Sequence, residues 1–209
     1  GTSIESVDPG GFIAKAVDSS RVIGCIIYPS TVISEPGKIE HIEGNRFSIG
    51  ELDGTSSDRC KRLASILISA GFKSPIRSRI RHDLWIKLLG NVVFNPMSAL
   101  TGATLEEMAT HPDSSAVARA VMAEADELAE ALGVRLPLTI DQRMEGARKV
   151  GAHKTSMLQD LESGRPMELE SVVGVLIELG EKLGLPMPHT RTLYSCTKLL
   201  SYVRNNESI

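Results

Sequence analysis

The chain has 209 residues, 42% of them hydrophobic and 23% charged, a balance that supplies a proper core and excludes a disordered or fibrous protein. A net charge of −3 and a pI near 6.0, without any Lys/Arg cluster that could track a phosphate backbone, argue against a nucleic-acid partner. No apolar run reaches the roughly 18 residues of a membrane span, residues 1–8 lack the regions of a signal peptide, and neither the three cysteines nor the five histidines have disulfide or metal-ligand spacing, so the expectation is a cytoplasmic protein with no membrane and no metal.

In chain order, residues 9–17 predict a short helix, and the β-branched run 21–28 predicts a buried strand ending at Pro29. Residues 31–34, the Pro36-Gly37 turn, 38–43, Gly44-Asn45 and 46–49 read as an antiparallel meander. An amphipathic helix follows over 56–70, capped by Ser56 or Ser57 and stopped by Gly71, with one more short strand over 74–79. After Ile80 only helical patterns remain: 82–101, broken or kinked near Pro96, then 105–109, 114–132, 139–150, 157–163, 167–183 and 189–204. The fold class is therefore α+β, a mostly α-helical C-terminal part preceded by a few strands. Trp85, Leu88, Val92, Leu128, Leu132, Leu176 and Leu183 are the expected helical core.

Within 85–96, Lys87, Asn91 and Asn95 are spaced four apart and advance about 40° per step, so they share one helical stripe. Trp85, Leu88, Leu89, Val92, Val93 and Phe94 cover most of the remaining circumference, which predicts a helix packed on several sides. A polar group left dry and unpaired costs roughly 1–3 kcal/mol, so the stripe faces either a structural hydrogen-bond network or a ligand cleft. A second constellation holds Ser156 and Glu168. Ser156 reads locally as an N-cap, with Gln159 completing a capping box, and Glu168 as a carboxylate near a helix start. The functional alternative is that both converge on the Lys87 stripe. An ammonium beside a ketone can stabilise the alkoxide formed on reduction and protonate it, while amides and a hydroxyl hold the substrate in register.

The segments KLLGNVVFNPMSALT (87–101), TSMLQD (155–160) and GRPME (164–168), supported by GCIIYPS (24–30) and GNRF (44–47), resemble the ketopantoate reductase (2-dehydropantoate 2-reductase) family. The resemblance implies NADPH-dependent reduction of ketopantoate to pantoate, on the way to pantothenate and coenzyme A. It makes Lys87 the general acid, Asn91 and Asn95 substrate-positioning amides, Ser156 a substrate ligand, and Glu168 the carboxylate acting with the lysine and the substrate hydroxyl. It also implies a Rossmann domain followed by a helical domain of the 6-phosphogluconate dehydrogenase type, often as a homodimer. The sequence departs from the family in having no GxGxxG fingerprint and no counterpart of the substrate-contacting loop Asn. The expectation is a truncated chain, with 1–80 the trailing remnant of the NADP-binding domain and 81–209 a helical substrate-binding and dimerisation domain. Alone it should be inactive and should not bind NADP(H) tightly. A related reductase for another 2-keto acid and a non-catalytic helical dimerisation module are the alternatives.

Overall fold

A computed structural model describes residues 3–207. Contacts divide the chain into two compact units, Ala14–Leu84 and a helical one made of Gly1–Ile13 with Trp85–Ile209. The helix expected over 9–17 is a 3₁₀ turn, Pro9–Gly11, running into α1 (Phe12–Ala16).

The smaller unit contains β1 (Ile23–Ile27), β2 (Ser30–Glu35), β3 (Lys38–Glu43), β4 (Phe47–Glu51) and α2 (Asp58–Ser69). Its strands do not form the expected meander. β2 and β3 make a separate hairpin with every residue exposed, while β4 returns to pair antiparallel with β1, Ile23 opposite Glu51 and Ile27 opposite Phe47. The apolar pattern explains the choice: Ile26 and Ile49 are 2% and 1% exposed, and Cys60 and Ala64 of α2 are buried as well, whereas the hairpin has no buried face to share. β1 itself is not the continuously buried strand its composition predicts, since Cys25 and Ile27 point outward and alternate with buried Gly24 and Ile26. Along the other edge of β4, residues 73–77 run parallel through Phe47 N to Lys73 O (2.8 Å), Ile49 N to Pro75 O (3.1 Å) and Arg77 N to Ile49 O (2.7 Å). Pro75 has no N–H to give, so the strand expected at 74–79 stays a short run of bridges. Gly24 and Gly50 are opposite one another in the β1–β4 register, and a Cβ at Gly24 would lie 2.9 Å from Ile80 while one at Gly50 would collide with the Arg77 carbonyl. α2 is capped by Ser57, which accepts from Cys60 N (3.2 Å), and stops at Gly71, φ +91°.

The helical unit is built from α3 (Ile80–Thr101), whose first turn belongs to the smaller unit, then α4 (Leu105–Thr110), α5 (Pro112–Ala131), α6 (Ile140–Val150), α7 (Ser156–Glu162), α8 (Val175–Leu183) and α9 (Pro188–Glu207). A π-helical turn, Glu170–Gly174, leads into α8. α3 is not broken at Pro96: only the Val92 carbonyl loses its donor there, and the burial of Phe94, Met97 and Ala99 holds the helix to Thr101. Of the expected core, Val92, Leu128 and Leu176 are fully buried, and Trp85 and Leu88 pack against the cluster. Leu132 and Leu183 are 40% and 45% exposed, because each closes its helix beside a left-handed glycine, Gly133 or Gly184, where the chain turns away. Capping boxes stand at Thr104/Glu107 and Thr139/Gln142. The Glu178 carboxylate, held down to a pKa of about 2 by Lys182 and by the Ser6 amide, accepts the backbone N–H groups of Glu5 and Ser6 at 2.8 Å each and so ties the N-terminal segment to α8.

Candidate functional site

Burial rises along the stripe of α3: Lys87 is exposed, Asn91 half-buried, and Asn95 only 6% exposed. The helix expected to be packed on several sides is so only from Asn91 onward. The helix enters the core gradually, so Lys87 is exposed while the second amide is nearly enclosed. Among the described residues neither amide side chain has a hydrogen-bond partner in the protein. The Asn95 amide nevertheless keeps some accessible surface, unlike the enclosed and unpaired hydroxyls of Ser6 and Ser74. A structural network would have used these groups. Leaving a buried amide unpaired costs roughly 1–3 kcal/mol, which a bound ligand or ordered water would offset.

The second constellation also changes character. Thr155, not Ser156, is the N-cap of α7: it has extended backbone (φ −68°, ψ 159°), is 5% exposed, and accepts from Leu158 N at 3.3 Å. Gln159 donates to the Lys154 carbonyl (3.0 Å) instead of closing a box with Ser156. Ser156 thus stands exposed at the first helical position, its hydroxyl without a partner among the described residues, which removes the capping explanation for it. Glu168 is exposed just before the π-helical turn, where its carbonyl accepts from Val172 N (3.2 Å) and Ser171 Oγ (3.3 Å). Its carboxylate has no hydrogen bond or ion pair among the described residues. The loop from α7 to Glu168 is folded by Arg165, whose Nε and backbone N each lie 2.8 Å from Asp160 oxygens.

No bond joins Asn91, Asn95, Ser156 and Glu168 among the described residues. What relates three of them is a common core: Val92, Val93 and Phe94, beside the two amides, and Leu169, beside Glu168, belong to one cluster. Such a set has a cation, a carboxylate, a hydroxyl and two amides, the complement needed to bind a small oxygen-rich acid and protonate a developing alkoxide. A cavity of about 690 Å³ at the end of α3, lined by Met97, Met108 and His111 among others, includes none of these residues. Two of its lining hydroxyls are already engaged, Thr101 by Met97 O and Ser114 by Met108 O.

Two polar clusters have no local signal in the sequence, because each joins a glutamate to residues 24 or more positions away. Glu124 of α5 accepts from the N–H groups of His189 and Thr190 and from the Thr190 hydroxyl, which fastens it to the start of α9. Glu170 is joined by Tyr194 and Lys198 of α9. For a dinucleotide the described residues offer no cradle: β1 leads into the hairpin, and the loop from β4 to α2 holds a single glycine, Gly54, which is required by the nearby Ser78 carbonyl, 2.6 Å from where its Cβ would be. Among the described residues no helix is long and apolar enough to cross a membrane, and no group of three His, Cys, Asp or Glu could hold a metal.

The family model "Ketopantoate reductase PanE/ApbA C terminal" matches residues 79–201. A 2-dehydropantoate 2-reductase of Mesorhizobium japonicum is 45% identical over 204 residues, which cover 98% of this chain and 63% of that protein. Among solved structures, a candidate ketopantoate reductase of Ralstonia solanacearum MolK2 superposes with a TM-score of 0.93 at 35% identity, over 98% of this chain and 63% of that one. The 2-dehydropantoate 2-reductase of Methylococcus capsulatus gives 0.81 at 30% identity, over 87% and 59%. The chain thus spans about three-fifths of the length of the relatives it matches.

Proposed function

This chain belongs to the ketopantoate reductase family, and from that premise we propose that it supplies the acid and substrate-binding part of an oxidoreductase that reduces ketopantoate to pantoate. NADPH is the proposed hydride source of the complete enzyme; the described residues do not fit its pyrophosphate, and the roles below concern this chain alone. Residues 1–80 are proposed as the trailing part of the nucleotide-binding domain and 81–209 as the substrate and dimerisation domain of a cytoplasmic homodimer.

In this reading the Lys87 ammonium faces the ketone oxygen, stabilises the negative charge that grows there, and transfers its proton to give the hydroxyl. Asn91 and Asn95 hold the substrate's oxygens in register, Ser156 donates to it, and Glu168 accepts from its hydroxyl. The observation that carries the proposal is Asn95, a residue 6% exposed whose amide has no partner among the described residues, four residues from Asn91 and eight from Lys87 on one face of α3. An amide so placed has hydrogen-bonding capacity to offer a ligand.

Titration of ketopantoate into the protein tests this. At a hundredfold excess over its dissociation constant a ligand should stabilise the fold by roughly 2.7 kcal/mol, read as a rise in melting temperature. Asn95→Ala should abolish the rise. No stabilisation at tens of millimolar ligand, or an undiminished one in Asn95→Ala, would overturn the assignment.

A further inference from the structure

The π-helical turn Glu170–Gly174 begins two residues after Glu168, and its geometry is held from α9. The Glu170 carboxylate folds back over Gly174, so closely that a Cβ there would lie 2.5 Å from Oε2. In that position it accepts the Tyr194 hydroxyl at 2.7 Å and 2.9 Å on its two oxygens and the Lys198 ammonium at 3.1 Å, while Lys198 also donates to the Tyr194 oxygen at 2.7 Å. The wide turn is closed by Val175 N donating to the Glu170 carbonyl, five residues back. Upstream, the same turn takes up the Glu168 carbonyl through Val172 N and Ser171 Oγ. Among the described residues Glu168 has no side-chain bond of its own to fix it, so the place of its carboxylate is set by the backbone that follows. Arg165 and Asp160 fix the preceding loop, and the turn locked by Glu170 fixes the rest.

We infer that Tyr194 and Glu170, with Gly174 giving the carboxylate room, are positioning residues for Glu168: they lock the π-helical turn in the form that aims Glu168 at the hydroxyl of a hydroxylated 2-keto acid. The inference rests on the role proposed for Glu168. Lys198 and the Glu170 carboxylate are 60% and 49% exposed, so that ion pair is screened and contributes little. The weight falls on Tyr194, which is partly buried and holds both oxygens of Glu170. The lock has a substrate signature. It should matter for a 2-keto acid whose hydroxyl Glu168 would meet, and should be silent for the same branched skeleton lacking that hydroxyl.

The test uses the complete enzyme carrying this sequence, with steady-state kinetics on ketopantoate and on the 2-keto acid of the same skeleton without the hydroxyl. Tyr194→Phe, which keeps the ring and removes the bonds to Glu170, should lower kcat/KM for ketopantoate by about ten- to a hundredfold, the scale of a misplaced contact, and leave the deoxy substrate within about twofold. Gly174→Ala, which displaces the Glu170 carboxylate, should do the same, and Lys198→Ala should change neither substrate appreciably. Equal loss on both substrates in Tyr194→Phe, or no loss on either, would overturn the inference. Glu168→Gln run in parallel separates the two levels. If it discriminates between the substrates and Tyr194→Phe does not, the positioning role fails while the role of Glu168 stands; if Glu168→Gln does not discriminate, the role of Glu168 falls and the inference with it.

Discussion

Neutralising Glu124 should loosen the attachment of α9 to the helical core, and the structure gives the size of the effect. The carboxylate side chain is 10% exposed and accepts four bonds from one helix start: His189 N (2.9 Å), Thr190 N (2.8 Å), Thr190 Oγ1 (2.6 Å) and His189 Nδ1 (2.7 Å). Burial alone would raise its pKa; the bonds from Thr190 and His189 outweigh that and hold it below the usual glutamate value. Glu124→Gln keeps the shape but replaces one acceptor oxygen with an NH₂ that faces donors, and it removes the charge favoured at a helix N-terminus. Losing a charged hydrogen bond costs roughly 1.5–3 kcal/mol and the helix-end charge up to about 2, partly overlapping, so a loss of about 2–3 kcal/mol is expected. For a chain of this length that lowers the melting temperature by about 4–12 °C. The sign with pH follows from the depressed pKa: the contribution is present above the unfolded glutamate value of about 4.3 and is lost as pH falls through the lower folded value. Thermal unfolding followed by circular dichroism at pH 7 and through the acid range measures both. A variant that melts with the wild type at pH 7, or a difference that persists unchanged to pH 2, would refute the reasoning.

Thr155→Ala should destabilise α7 by about 1 kcal/mol, the usual value of an N-cap, as seen in a denaturant midpoint. Ser156→Ala should leave that midpoint within about 0.5 kcal/mol, since Ser156 does not cap, yet weaken ketopantoate binding in the same titration that tests Asn95; the reverse pattern would return Ser156 to a structural role.

What the sequence made legible was governed by local chemistry. Periodicity and stop glycines located α2, α5 and α8, because Gly71, Gly133 and Gly184 end helices by conformations that other residues resist. The strand order was not legible: alternation in 38–43 and 46–49 is equally good for neighbours in a meander, and what separates them is that Ile26 and Ile49 are buried in the β1–β4 pair while every residue of 38–43 is exposed. The Lys87, Asn91 and Asn95 stripe followed from spacing alone, but its gradient of burial depends on which turns of α3 meet the rest of the core. Thr155 and Ser156 carry the same capping signal, and one residue of helix phase chooses between them. The bonds from Glu124 to His189 and from Glu170 to Tyr194 are tertiary and have no local trace.

Lys87 is proposed as an acid and not a structural cation. Lys87 is exposed on a helix, and a melting temperature taken for Lys87→Ala separates any change in stability from the change in rate. The decisive measurement is single-turnover reduction of ketopantoate by the complete enzyme carrying this sequence, wild type against Lys87→Ala, with melting temperatures recorded beside it. A rate lower by roughly 10²–10⁴-fold, at unchanged melting temperature and cofactor affinity, is the expected result. A folded Lys87→Ala enzyme that keeps a near-normal rate would contradict the account.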